Sequence, residues 1–482
     1  MLNKRAIFIN TASQIVVRFF TLAVTLVSVK LLANFLGTKG VGEYNTITTY
    51  VNFFIVFAEL GLFATTVREI SKHPENEHRI LANVFTIRLI SAVISCFIAI
   101  GLIVIGRLYF DQYNINDHIM YGVIIASGFL LFNLLWSMYD MVLQARLKMQ
   151  YSALSEFAGK IVSIVALVTI IALKGNFYAV LATITISAFV TFVLKWIFAK
   201  RYVNFCLTAD SKFAKEILRI SIPLGIVFIL EGLYFKLDTL MLYPIKGPEA
   251  VGIYSVAYKV LEVVAFFGAY FASSLKPAIS REIMKNRAGV GSIISNAIPI
   301  MIYISLPITI ICVLFSREII LLVSNQSFAD GSYAQNVLAF TLPFIYLNVL
   351  VGEVLIANDN RKLLLKISGA ILLFNFVFNL ITIPRFSYMG AAWGTLISEI
   401  ILFLVFYYSA RKIVELKLDW TKIFYIILIS AMTFIFGMLI KQLDVNFIIL
   451  ILVILAAYIL FSSLFKILTL GTIKELLKPE SA

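Results

Sequence analysis

Fourteen apolar stretches, each long enough to cross a lipid bilayer, constrain this chain more than any other feature. They run at about 10–35, 43–67, 81–106, 119–144, 152–173, 177–198, 216–243, 251–275, 292–315, 333–357, 363–383, 389–409, 422–440 and 446–470. A spanning helix needs about 20 predominantly apolar residues. In hydrocarbon the backbone must satisfy its own hydrogen bonds, so such stretches fold as helices. The sequence is 61% hydrophobic and 14% charged, whereas soluble domains are about 25% charged. A water-soluble enzyme, a disordered scaffold and a secreted disulfide module are excluded. The first stretch is too long for a signal-peptide core and is expected to be retained. Connectors are short, and none is large enough to fold as a catalytic domain.

The net charge of +14 acquires meaning from its placement. With Lys4 and Arg5 on the inner side, the inner segments hold 22 basic residues and the outer connectors 7. This alternation predicts both termini inside, in the cell (plasma or inner) membrane. Membrane lipids are the expected partners of the basic excess, and nucleic acid is not, because the basic runs are short and divided. Cys96, Cys206 and Cys312 are too scattered for a disulfide framework or a zinc site.

The pattern G-x-x-x-V-G-x-Y occurs twice, from Gly37 to Tyr44 and from Gly247 to Tyr254, at an offset of 210 residues. Tyr178-Ala179 and Gly390-Ala391 echo it at 212. Six spans return the chain to its starting side, so the units are expected to be parallel repeats about an axis along the membrane normal. The expected division is 1–205 and 206–415 for two six-helix lobes, with 416–482 for two further spans and a tail.

Polar residues recur on one face of four spans. The first carries Thr11, Gln14, Arg18, Thr21, Thr25 and Ser28 within an arc of about 100°. The second carries Asn45, Thr48, Asn52, Glu59 and Thr66; the seventh Glu231, Tyr234 and Asp238; the eighth Ser255, Tyr258, Lys259, Glu262 and Ser273. Polar faces look onto other helices or a watered cavity, and two matching pairs of striped helices suggest one shared cavity. Many of the hydroxyls need do no more than bond the preceding turn. Lys259 and Glu262, three apart, can pair with each other. Glu156 and Lys160 have the order of a structural pair, and Lys30 and Lys236 that of snorkelling residues. Arg68 and Arg88, near the inner surface, suit an anionic headgroup or simple anchoring. Glu353, Lys366 and Glu399 lie within spans without an evident partner. No P-loop, zincin or nucleophile-elbow motif is present, and the sequence points to no catalytic residue, metal or bound cofactor.

Two segments carry a resemblance. One runs Ile222-Pro223-Leu224, Asp238 to Met241, Gly247, Ala250 to Tyr258 and Leu275 to Arg281; the other runs from Ile383 to Thr395. They resemble the polysaccharide transporter family, which includes the O-antigen flippases, within the multidrug/oligosaccharidyl-lipid/polysaccharide exporter superfamily. Asn34 and Ser387 depart from its usual pattern, which has a basic residue and a glycine there. The resemblance implies an all-α membrane fold of about fourteen helices, two six-helix repeats forming a V, plus two late helices. It implies flipping of a polyprenyl-pyrophosphate-linked oligosaccharide to the outer leaflet, with polymerase or co-polymerase proteins as candidate partners. Pyrophosphate calls for a cation, and arginine's fork pairs two oxygens. Arg18 is the first candidate, then Lys259, Arg88 and Arg68, with Gln14, Asn52 and Tyr258 suited to sugar. Four acids, Glu59, Glu231, Asp238 and Glu262, outnumber the two bases Arg18 and Lys259 on the stripes, which points to a coupling Na⁺ or H⁺. A cation-coupled multidrug exporter is the alternative, and a membrane glycosyltransferase or polymerase a more distant one.

Overall fold

The computed structural model describes residues 4–109, 117–203, 207–208, 210–285, 287–358, 360–443 and 445–465; in the first helix, side chains are described at Val17 and from Phe20 onward. No strand occurs among the described residues. Their α-helices are α1 (Lys4–Glu59), α2 (Leu62–Lys72), α3 (Glu77–Tyr109), α4 (Asp117–Ala145), α5 (Met149–Ala172), α6 (Phe177–Ala199), α7 (Ser211–Lys246), α8 (Pro248–Lys285), α9 (Arg287–Leu314), α10 (Ser316–Val323), α11 (Gly331–Ala339), α12 (Leu342–Ala357), α13 (Arg361–Phe386), α14 (Tyr388–Arg411), α15 (Trp420–Ile440) and α16 (Phe447–Leu464).

Among the described residues 12 helices are long and apolar enough to cross a membrane, or 13 when α11 and α12, bent by 42°, count as one broken span. The chain is a multi-pass membrane protein. The difference from fourteen lies in α1, which holds the first two apolar stretches in one helical run. Its apolar part and α2 together cover 53 residues, about 80 Å at about 1.5 Å per residue, against a hydrocarbon core of about 30 Å. Two crossings fit that length. The break is Gly37, at φ 64° and ψ −175°, a conformation that costs glycine little and other residues a good deal.

The chain packs as two compact units. One comprises Met1–Ser255, Val323–Ser327 and Asn379–Tyr388; the other Val256–Leu322, Phe328–Phe378 and Met389–Ala482. In the first, α7 packs on α1, α2 and α3. In the second, α9 is central, with α11, α12, α15 and α16 against it. Tyr458 donates to the Tyr303 carbonyl at 3.0 Å, and Tyr303 to Ser462 at 2.9 Å, fastening α16 to α9.

Side-chain bonds sort the connectors of the first unit into two ends. At one end Arg107 holds Asp117 at 2.8 Å, and His118 lies 3.1 Å from the Glu43 carboxylate and stacks near Phe177. Gly37, Lys174 and Gly247 therefore share this end. At the other, Arg146 binds Glu77, and Leu62, Ile70, Ile80, Met141, Val142 and Ile217 form a shared apolar cluster. The helices of this unit thus alternate in direction.

At the second end Asp210 caps α7, accepting from Phe213 N at 3.2 Å, and receives Arg79 at 2.6 Å. The Arg79 hydrogen bond, with help from the backbone, holds its carboxyl below the usual aspartate range. A carboxylate lowered on folding stabilises fully above its unfolded pKa and loses that contribution as pH falls through the folded value. Asp210→Ala should speed amide exchange at Phe213 and Ala214 at neutral pH. The gap from the parent should close in acid; a gap that persists there would dismiss the cap.

Candidate functional site

The two copies of G-x-x-x-V-G-x-Y meet. A Cβ built on Gly42 would stand 1.8 Å from the Pro248 carbonyl oxygen, and one on Gly252 would stand 2.0 Å from that of Thr38. Thr38 and Pro248 are 210 apart, as are Gly42 and Gly252. The contact is reciprocal, as at a two-fold interface where patch meets equivalent patch. Asn45 completes it, donating to Ser255 Oγ at 3.0 Å, again between positions 210 apart. Only small residues permit such an approach of helix backbones. Beside it lies a cavity of about 150 Å³ lined by Thr46, Tyr50, Ile103, Leu240 and Tyr243.

Much of the first two polar stripes bonds its own helix. Thr21, Thr25 and Ser28 donate to the carbonyls of Val17, Thr21 and Val24, and Thr48 to that of Asn45. Asn52 donates to the Thr48 carbonyl at 2.7 Å. Arg18 and Gln14 fall among side chains outside the described residues.

The charged candidates are largely brought together in pairs. Arg88 on α3 is fully buried and donates to Glu59 Oε1 at 2.8 Å. Glu59 also accepts from Phe63 N at 3.3 Å, bridging the α1–α2 break. One expected phosphate contact therefore holds one expected coupling acid. Lys259 and Glu262 pair on α8, each about one-third exposed. Tyr258 is half-buried beside them, and Arg68 reaches Glu69 at 3.2 Å. Glu231 is exposed on α7. Asp238, seven residues on, is buried: Oδ2 accepts from Tyr254 at 2.7 Å and Oδ1 from Asn379 at 2.7 Å. Two expectations outside the stripes also gain partners. Lys276 meets Glu353 at 3.2 Å, and Asn348 donates to Glu399 at 2.7 Å. Lys30 donates to the Ser324 carbonyl.

One buried cluster went unnoticed in the sequence. Lys195 on α6, fully buried, donates to Asp140 on α4 at 2.8 Å and to Glu156 on α5 at 2.9 Å. Its ammonium also stands 3.5 Å from the centre of the Trp136 ring. Glu156, expected to pair with Lys160, thus binds Lys195. The available signal was position: Asp140 and Lys195 interrupt apolar stretches as the striped charges do, but stand alone on their faces.

The arrangement can now be compared with known proteins. A family model described as polysaccharide biosynthesis protein matches residues 7–282. The chain belongs to that family. The model named MatE matches residues 223–381 of this family member. The capsular polysaccharide biosynthesis protein CapF of Staphylococcus aureus is 23% identical over 385 residues, 78% of this chain and 93% of CapF. The probable low-salt glycan biosynthesis flippase Agl15 of Haloferax volcanii is 26% identical over 174 residues, 36% of this chain and 37% of Agl15. Among solved structures, the lipid II flippase MurJ in an inward closed conformation superposes with a TM-score of 0.78 at 18% identity, covering 94% of this chain and 98% of MurJ. This polysaccharide biosynthesis family member therefore has the transporter fold that its sequence resemblance implies.

Two outcomes test the geometry. Gly42→Ala and Gly252→Ala set a methyl against backbone that cannot move aside, and overpacking costs about 1–3 kcal/mol. Each should lower the melting temperature and abolish complementation of a deletion strain. Gly101→Ala, with nothing within 4 Å of its Cβ, should be silent; equal effects at all three would discount the reciprocal contact. Separately, Lys195→Met strands two acids, and breaking a buried pair costs about 3–5 kcal/mol. Lys195→Met with Asp140→Leu and Glu156→Gln should recover most of the loss in thermal melts. Additive losses would contradict the triad.

Proposed function

We propose that this chain is a flippase that carries a polyprenyl-pyrophosphate-linked oligosaccharide from the inner to the outer leaflet by alternating access. It does so as a transporter and not as an enzyme, in the cell membrane with both termini inside. The observation that carries the reading is the reciprocal packing of the two repeat turns. Matched turns that meet at a small close contact suit a transporter that rocks one half against the other. Basic residues support the orientation. Arg68, Lys72, Arg79, Arg146 and Lys148 gather at the end opposite Gly37, which would face the cytoplasm.

The cargo chemistry follows from the residue types. A sugar headgroup needs a hydrogen-bonding path, which Gln14, Asn52 and Tyr258 would supply. The diphosphate needs cations, with Arg18 first and Arg68, Arg88 and Lys259 near the path. Glu59 and Glu262 already hold two of these cations, so cargo would bind by exchanging one anion for another. The lipid tail would remain in the bilayer beside α15 and α16. Asp238, held by a phenol and an amide, is the acid best placed to take a coupling Na⁺ or H⁺, while Glu231 is open to solvent or lipid. Polymerase or co-polymerase proteins would receive the product outside.

A multidrug exporter is the second reading, favoured by the MatE match across α7 to α13. Mass spectrometry of lipid-linked oligosaccharides in a deletion strain separates the two. Accumulation of a complete polyprenyl-pyrophosphate glycan, cleared by the parent gene, is the expected result. Normal glycan with increased drug sensitivity would favour the exporter. Arg18→Ala should restore insertion but not clearance, and Arg18→Lys should restore clearance only in part, because lysine lacks the two-pronged contact. Full clearance by the alanine variant would remove Arg18 from the path.

A further inference from the structure

Within the second unit, α13 and α14 leave a cleft of about 230 Å³, lined by Lys366, Ala370, Ile371, Phe374, Ile401 and Val405. Among the described residues, Lys366 is the one charged residue of its lining. Phe386 is 20 residues beyond Lys366 on this helix, about 30 Å at about 1.5 Å per residue, which matches the bilayer's hydrocarbon thickness of about 30 Å. With Phe386 at one boundary of the hydrocarbon, this length sets Lys366 at the other, between headgroups and acyl chains.

The surrounding surface has the same layering. Lys362, Lys366, Ala370, Leu373, Val377 and Leu380 follow one another at helical spacing on one face of α13. The last three are 63%, 45% and 53% exposed. An apolar stripe that is open along its length faces acyl chains, since water would penalise it. Across the cleft, the Asn375–Ser398 hydrogen bond of 3.2 Å sets the antiparallel register. That register brings the turn of Lys362 level with Arg411 and Lys412 at the end of α14. Lys412 rests over the Tyr408 ring at 4.4 Å and Arg411 over Tyr407 at 5.8 Å. Lys362 and Lys366 have no hydrogen bond, ion pair or ring contact among the described residues.

We propose that this cleft binds an anionic phospholipid, with its phosphate between Lys362 and Lys366 and one acyl chain along Ala370, Phe374 and Val405. Charge complementarity selects the occupant. Two ammonium groups accept a phosphate, whereas the amine of a zwitterionic headgroup would add a third positive charge beside them. Lysine stems lie along the apolar wall while their heads reach the interface.

Native mass spectrometry of the purified full chain tests this directly, using phosphatidylglycerol and phosphatidylcholine of identical chains. The parent should retain phosphatidylglycerol preferentially, by about fivefold for each lysine. Lys362→Gln with Lys366→Gln should erase the preference, and Lys366→Arg should keep it. Ala370→Trp, which fills the cleft and leaves the charges, should lower retention of both lipids. Lys215→Gln, at an exposed lysine of α7, should change nothing. Equal retention of the two lipids by the parent would overturn the proposal, as would an unaltered preference in the double variant. Retention of a polyprenyl phosphate in place of phosphatidylglycerol would also overturn it, assigning the cleft to cargo. The readout is binding, so it does not depend on whether the chain proves to be a flippase.

Discussion

The carbonyl oxygens of Thr38 and Pro248 each fill the space where the opposite turn would carry a side chain. Hydrophobic burial drives folding in water, but it cannot draw helices together within lipid, where tails are as apolar as leucine. Close backbone approach and the bonds it permits must supply that attraction. The contact organises what lies near it. It sets the α1–α7 pairing, brings Asn45 to Ser255, and leaves Tyr254 one residue short of the boundary where it can reach Asp238. Glu43, beside Gly42, is buried against His118 at the same end. A repeat that looks like sequence decoration is thus a join between two turns of the same pattern.

The second constraint is charge. An ionised group in hydrocarbon costs several kcal/mol unless it is paired or watered. Among the described residues, most buried charges answer this with a partner on another helix. Arg88 reaches Glu59, Lys195 takes two acids and a tryptophan face, and Lys276 reaches Glu353. Each such bond ties two spans at a defined depth. The apolar surface between them sets no register, because one aliphatic contact resembles the next. Buried pairs here have a positional role that their net energy, often near zero against an apolar substitute, does not reveal.

The helices were legible because each needs about 20 apolar residues and the sequence writes that length repeatedly. The break at Gly37 was legible as a glycine-led turn. That only one residue would leave helical geometry was not, since hydropathy averages over a window far wider than a kink. The bend between α11 and α12 was hidden for the same reason. At the site, the local pair Lys259–Glu262 could be read from its spacing. Partners 29, 55 and 141 residues apart, such as Glu59 with Arg88, Asp140 with Lys195 and Asp238 with Asn379, could not. Such pairings depend on the order in which helices pack, which no local pattern records. Periodicity also overstated the first two stripes, because a hydroxyl bonded to its own helix and one aimed at a cavity occupy the same angular positions.

The α1–α7 interface is a close join of backbones. After Gly37, α1 runs antiparallel to α7: Gly42 meets Pro248 at the start of α8, Val56 meets Gly232, and Leu60 and Gly61, just past α1, meet Gly225 and Ser221. Glycine stands at every one of these crossings, and at Gly232 the Val56 side chain packs into the space it leaves. Packed elements lacking interlocked side chains shear by small displacements, whereas interdigitated cores switch only between discrete fits. The attraction along this seam is dispersion, spread over many weak contacts that exchange as the helices shift. At the Gly37 end α1 is tied to the start of α8 by the bond from Asn45 to Ser255, an uncharged one. A neutral hydrogen bond contributes about 0.5–1.5 kcal/mol. The strength of the seam is therefore the sum of many weak contacts, no one of which holds it alone.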